Sequence, residues 1–184
     1  MEEKKKTLFV NLISGPGTGK STLCAWVFAE LKIRGIDCEM ALEYAKDVVW
    51  EESFKKLQNQ IYIFGKQHNR VFRLNGKVDV VITDSSILFS PIYDQTKNPV
   101  LKELALLEFF KFENVNFVVE RATKFSQNGR VHGEEVSKNI DSQCRSLMEE
   151  NNIPYEIVTS STEGRDTIVN TILEKLKVLK NGGE

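Results

Sequence analysis

Short apolar runs alternate with longer amphipathic segments along the whole chain. The runs have the length and β-branched content of buried strands, and they cover Leu8–Ile13, 37–42, 78–83, 116–120 and 155–159. Apolar residues at helical spacing fill the segments 20–34, 48–74, 101–112, 134–150 and 164–179. This alternation predicts parallel βαβ units. The expected fold is therefore a three-layer α/β/α fold, in which a five-stranded parallel sheet lies between two layers of helices.

The segments between these elements are predicted from their turn residues. Residues 87–98 are expected to form a loop, because Pro91 and Pro99 interrupt regular secondary structure. The long helix over 48–74 is expected to break near Gly65. Residues 121–133 are polar and contain glycine, which indicates a mobile loop.

The strongest chemical signal is a glycine-rich turn between the first strand and the next helix. It reads Ser14-Gly-Pro-Gly-Thr-Gly-Lys-Ser21, with a small residue at the usual position of the first glycine. Backbone N–H groups of such a loop, and the helix N-terminus behind it, bind phosphate. The residues expected to bind nucleotide are Gly15, Gly17, Thr18, Gly19, Lys20, Ser21 and Thr22. Lys20 is expected to reach the β- and γ-phosphates and Ser21 to bind Mg²⁺. A chance glycine turn would lack this flanking strand and helix.

An acidic residue, Asp84, directly follows the apolar run 80–83. A strand that ends in a carboxylate is the second element with which phosphate-loop proteins hold Mg²⁺. This strand is expected to neighbour the strand before the phosphate loop. The alternative is a solvated aspartate that caps the next segment.

Composition narrows the range of functions. The 184 residues carry a formal net charge of −1, so the basic excess of a dedicated nucleic-acid binder is missing. The three cysteines have no metal-ligand spacing and are expected to be reduced core thiols. No run approaches the length of a membrane helix, and the charged start of the chain predicts no signal peptide. We therefore expect a cytoplasmic protein.

Three features together resemble the P-loop kinases of the nucleoside and nucleotide kinase group. Beyond the phosphate loop, they are Glu43-Tyr-Ala45 after the second strand, Asp84-Ser-Ser86, and a segment that resembles the lid of that group, namely Arg121, the stretch 124–130 and Glu134-Glu135. The resemblance covers nearly the whole chain. The chain is also similar to small, often phage-encoded proteins described as AAA-type ATPases or kinases. The resemblance implies strand order 2-3-1-4-5, ATP and Mg²⁺ as cofactors, and one domain over 1–184 with a lid at about 121–133. Many relatives have arginine in place of Ser85, so the contact of that arginine is not expected here.

The resemblance also implies roles for three charged residues. Glu43 stands where similar kinases keep an acidic residue facing the acceptor, and a carboxylate there would orient an acceptor hydroxyl or accept its proton. Arg121 and Arg130 flank the expected lid, whose closure would bring positive charge to the phosphates. The alternatives are an ordinary glutamate at a helix start and solvated surface arginines.

The remaining candidates are weaker. Gln60 and Gln67 lie seven residues apart, hence on one helix face, and an amide there would contact the acceptor. Gly164 follows the last strand, where similar kinases place the ATP base. The two histidines, His68 and His132, have no evident partner and are expected at the surface.

Three functions remain open from the residues. The first is ATP-dependent transfer of the γ-phosphate to a nucleoside, nucleotide or nucleotide-like small molecule, by a monomer or homodimer. The second is a kinase acting on 5-hydroxymethyluracil in phage DNA, in the host cytoplasm. The near-neutral charge argues against it, and the base would have to be flipped out of the duplex. The third is a non-kinase NTPase switch.

Overall fold

The computed structural model describes residues 5–121 and 134–181. The strands are β1 (Leu8–Ile13), β2 (Cys38–Met40), β3 (Val80–Thr83), β4 (Glu113–Glu120) and β5 (Glu156–Thr159). The helices are α1 (Lys20–Ile33), α2 (Tyr44–Trp50), α3 (Phe54–Gln58), α4 (Gln60–Phe72), α5 (Phe89–Tyr93), α6 (Pro99–Phe109), α7 (Glu134–Glu150) and α8 (Thr162–Asn181).

The five strands form one parallel sheet in the order β2-β3-β1-β4-β5. This confirms the predicted fold class and strand order. β1 lies at the centre, and all six of its residues are buried, as expected of a strand covered on both faces. No helix in the described ranges is long and apolar enough to cross a membrane.

Two hydrophobic clusters cover the two faces of the sheet. Alternate residues of β1 enter each cluster: Leu8, Val10 and Leu12 pack with α1 and α8, while Phe9 and Ile13 pack with α4 to α7. This alternation follows from the two-residue period of a strand. The loop after β1 therefore follows a strand that has helices packed on both faces.

The sequence predicts one helix over 48–74, but the structure has three helices there, α2, α3 and α4. Glu52 has a φ of 53° between α2 and α3, and the Ser53 N–H bonds back to the Val48 carbonyl. Asn59 then starts α4, because its side chain accepts from the Tyr62 N–H at 3.2 Å. The prediction of a break near Gly65 was wrong, since Gly65 lies inside α4.

Two further expectations need correction. The segment 87–98 contains the short helix α5, which packs against α4, α6 and α7. His68 is not a surface residue without a partner. Its ring stacks between Phe64 and Phe72, and its Nε2 lies 3.2 Å from a Glu108 carboxylate oxygen. His132 lies outside the described residues.

Candidate active site

The sheet order gathers polar residues at the carboxyl ends of the strands. The residues that follow β1, β2, β3, β4 and β5 there are Ser14, Glu43, Asp84, Arg121 and Ser160, respectively. In open parallel sheets this edge is where ligands bind. The candidates Glu43, Asp84 and Arg121 therefore come to the same edge as the phosphate loop because of topology, although they are far apart along the chain.

The loop after β1 is closed by its own polar side chains. Gly17 and Gly19 have φ of 84° and 90°, which allow the tight turn before α1. The Ser14 and Thr18 hydroxyls lie 2.6 Å apart, so Ser14 supplies a hydrogen bond that a glycine in its place would not. Ser21 and Thr22 stand in the exposed first turn of α1. This is the strand–loop–helix arrangement expected of a phosphate loop.

Lys20 folds back over the loop. Its Nζ donates to the carbonyl oxygens of Ser14 and Gly15, at 2.7 Å each, and lies 5.9 Å from the centre of the Phe89 ring. Burial lowers the pKa of Lys20, while the carboxylates of Glu43 and Asp84 oppose that shift. Lys20 is thus a partly desolvated cation facing two carboxylates.

Asp84 joins the phosphate loop to the residue after β2. Its Oδ2 accepts from Ser21 Oγ at 2.5 Å, and its Oδ1 accepts from the Glu43 N–H at 3.0 Å. A solvated cap on the next segment, the alternative interpretation, does not describe this buried carboxylate.

Glu43 stands at the N-cap position of α2, but its side chain makes no capping hydrogen bond. Burial raises the pKa of Glu43, while Lys20 lowers it and Asp84 adds to the rise. The carboxyl group is therefore not used to cap the helix, and the Glu43 backbone is held beside Asp84 by the N–H hydrogen bond.

The two glutamines do not come together in this site. The Gln67 amide is buried, and both its oxygen and its nitrogen are hydrogen-bonded. Its Oε1 accepts from the Tyr44 N–H at 2.9 Å, and its Nε2 donates to the Ser85 carbonyl at 3.0 Å. Gln67 thus fixes the backbone beside Glu43. Both ends of its amide are already hydrogen-bonded, and an acceptor contact of Gln67 stays a prediction. Gln60 donates to the Leu57 carbonyl at 2.7 Å.

Gln60 lines an open cleft of about 410 Å³ between α3, α4 and the loop before α6. The lining residues of this cleft include none of Lys20, Glu43 or Asp84. An acceptor contact of Gln60 therefore stays a prediction.

Arg121 reaches the phosphate loop together with α7. Its Nη1 donates to Asp141 Oδ2 at 2.6 Å, and its Nη2 donates to Ser137 Oγ and to the Pro16 carbonyl, the latter at 3.4 Å. A solvated surface arginine does not describe this group, whose side chain is 18% exposed. Arg130 and the rest of the expected lid, 122–133, lie outside the described residues.

Gly15 lies directly against α7. Its N–H donates to Asp141 Oδ1 at 2.5 Å. A Cβ at this position would collide with the Ser137 carbonyl oxygen. The contact with α7 therefore explains why Gly15 is a glycine.

Gly164 lies buried in the first turn of α8, and its N–H donates to Ser161 Oγ at 3.2 Å. The neighbouring Ser160 Oγ lies 3.4 Å from the Gly19 carbonyl. The end of β5 therefore borders the phosphate loop, while a contact between Gly164 and a base stays a prediction.

Reasoning from the sequence missed four residues at this site. Ser137 and Asp141 were read only as part of an amphipathic helix, although their spacing of four residues puts both on one helix face. Phe89 and Tyr93 were assigned to a loop. Burial raises the pKa of Tyr93, and the charges of Glu43 and Asp141 add to the rise.

The sequence matches the model of a protein family described as AAA domain over residues 9–165, which includes all of these residues. The chain belongs to this family. None of the curated proteins matches it.

Among solved structures, the chain is similar to thymidylate kinase from Ehrlichia chaffeensis, with a TM-score of 0.60 and 14% identity over 95% of this chain and 99% of that one. It is also similar to the structure of APE1195, with a TM-score of 0.41 and 16% identity over 96% and 97% of the two chains. The first comparison shows the fold: this member of the AAA domain family has the P-loop NTPase fold of a nucleotide kinase.

Proposed function

We propose that this protein transfers the γ-phosphate of ATP to a nucleoside, nucleotide or nucleotide-like small molecule. One observation carries the proposal: the Asp84 carboxylate accepts hydrogen bonds from Ser21 Oγ in the phosphate loop and from the Glu43 N–H, so Glu43 stands beside the loop. A hydrolase needs the phosphate loop and a metal-binding acid. A second acidic group beside them, whose carboxyl makes no capping hydrogen bond, suits an enzyme that must also orient an acceptor hydroxyl.

Mg²⁺ fits the oxygens at this edge. Ser21 Oγ and Asp84 Oδ2 would hold it, since Mg²⁺ prefers oxygen ligands and takes one or two from protein alongside water and phosphate. The ion would neutralise charge on the phosphate oxygens.

The chain's own residues supply the remaining parts. Lys20 would bind the β- and γ-phosphates, with the N–H groups of the loop from Gly15 to Thr22 around them. Arg121 would add positive charge near the loop, and Arg130 would do so from a lid at about 121–133. Glu43 would orient the acceptor hydroxyl and accept its proton as the phosphoryl group moves.

The test is transfer of label from γ-labelled ATP to a panel of acceptors. The panel contains nucleosides, nucleoside monophosphates with thymidylate first, and single- and double-stranded DNA with and without 5-hydroxymethyluracil. Lys20→Ala serves as the inactive control. Lys32→Ala, on the same helix but with an exposed side chain, serves as the matched active control.

Label on one small molecule would establish the proposal and identify the acceptor class. Label on DNA alone would replace it with the DNA kinase alternative. Release of free phosphate at the same rate with and without every acceptor would favour an NTPase switch and overturn the proposal.

A further inference from the structure

Arg121 and Asp141 form a nearly desolvated ion pair on the surface of the phosphate loop. Their side chains are 18% and 21% exposed, and the Nη1–Oδ2 distance is 2.6 Å. Both partners also bind the loop itself: Asp141 accepts from the Gly15 N–H, and Arg121 donates to the Pro16 carbonyl. The pair therefore joins three parts of the molecule, namely the end of β4, the loop and α7.

Ser137 completes this arrangement one helical turn before Asp141. Its hydroxyl accepts from Arg121 and donates to the Pro16 carbonyl. The planar guanidinium group thus has two acceptors from one face of α7, which fix both its position and its rotation. Arg121 Nε is buried and has no partner among the described residues.

We propose that Asp141 is a positioning residue, which holds the Arg121 guanidinium against the phosphate loop in the orientation that a bound triphosphate requires. Without the carboxylate, Arg121 would lose its charged partner and one of the two acceptors that set its rotation. The loop would also lose the carboxylate that receives the Gly15 N–H. The inference depends on the proposed function only in taking ATP as the nucleotide.

The competing interpretation is electrostatic. A carboxylate beside the phosphate loop would repel a triphosphate and compete with it for the Gly15 N–H. Removing that charge would then tighten nucleotide binding. The two interpretations predict opposite changes in nucleotide affinity when Asp141 is replaced by Asn, so a single binding measurement separates them.

The experiment is a double-mutant cycle of Arg121→Ala and Asp141→Asn, read as the affinity for a non-hydrolysable ATP analogue with Mg²⁺. Arg121→Ala is expected to weaken binding by about ten- to a hundredfold, the range for a lost hydrogen bond to a charged group. Asp141→Asn, which keeps the shape and one oxygen acceptor, is expected to weaken it by about tenfold. The double variant should bind no more weakly than Arg121→Ala alone.

Arg121→Lys gives a second readout that a merely structural role would not move. It keeps the charge but loses the planar fork that spans Asp141 and Ser137, and it should bind the analogue as weakly as Arg121→Ala. Glu120→Gln is the control, because it removes a more exposed ion pair, to Arg145, between the same strand and helix. It should leave the affinity unchanged.

Tighter binding by Asp141→Asn, or losses that simply add in the double variant, would overturn the proposal. Because the readout is nucleotide binding, it does not depend on finding an acceptor. Failure of the acceptor panel and failure of this cycle are therefore distinguishable.

Discussion

Ser21 Oγ donates a 2.5 Å hydrogen bond to Asp84 Oδ2, across a sequence separation of 63 residues. The contact exists because β3, which ends just before Asp84, pairs directly with β1, which ends just before the phosphate loop. The same aspartate receives the Glu43 N–H. One carboxylate thus aligns the two groups for which we propose roles in binding metal and acceptor.

Replacing Lys20 tests the phosphate loop. Lys20→Ala is expected to abolish transfer by removing about 3–4 kcal/mol of transition-state stabilisation, and its circular dichroism spectrum should match the wild type. Labelled product from γ-labelled ATP is the measurement. Lys32→Ala, on the same helix, should keep full activity. Wild-type turnover by a folded Lys20→Ala protein would contradict the assignment.

Replacing Glu43 tests the acceptor side. Glu43→Gln keeps the size of the side chain but cannot accept a proton, so transfer should fall at least about a hundredfold while ATP affinity changes little. Both quantities are measured on one preparation by product formation and calorimetry. Glu39→Gln, an exposed carboxylate on β2, is the control. Equal losses of binding and transfer by Glu43→Gln would count against the proposed role.

Replacing Gly65 and Gly15 with alanine should change the free energy of unfolding in opposite directions. Gly65 lies inside α4, and nothing lies within 4 Å of the position that an added methyl group would take. Gly65→Ala should therefore stabilise the protein by about 1 kcal/mol through helix propensity. Gly15→Ala would press on the Ser137 carbonyl and should destabilise it by about 1–3 kcal/mol. Urea unfolding measures both. A stabilised Gly15→Ala protein would show that α7 does not pack on the loop as described.

Asp94 should make stability depend on pH. Hydrogen bonds from the Asn98 N–H and the Thr96 side chain hold the pKa of Asp94 below its ordinary value. This stabilisation is present above the ordinary pKa of aspartate and is lost as pH falls through the lowered one. Asp94→Ala should therefore lower Tm at pH 7, with a difference that shrinks in acid. Asp166→Ala, at an exposed ion pair, should change Tm little at any pH.

The cysteines should be unreactive in the folded protein. Cys24, Cys38 and Cys144 are free and buried, and burial raises the pKa of Cys38 to about 11 and of Cys144 to about 12. Because the thiolate is the reactive form, Ellman's reagent at pH 8 should detect no rapidly reacting thiol in the native state. It should detect three in guanidinium. Rapid native labelling would contradict the burial described for these side chains.

The sequence by itself determined the α/β fold class, the five strands and the position of the phosphate loop. Strand and helix periods differ, so the alternation of β1, α1 and the later elements was visible in local patterns. The loop's function also depends on a contiguous stretch, Ser14 to Ser21. Asp84 was identifiable for the same reason, because a carboxylate after an apolar strand is a local signal.

Only the tertiary structure decided which distant groups meet. The break between α2 and α3 depends on the positive φ of Glu52. The sequence does not predict this break, because glutamate is not a residue type that marks a left-handed backbone conformation. The buried use of Gln67, and the contact of Asp141 with Arg121 and Gly15, arise from packing between elements that are far apart along the chain. Local patterns report which face of a helix is polar, and the sheet order decides what that face touches.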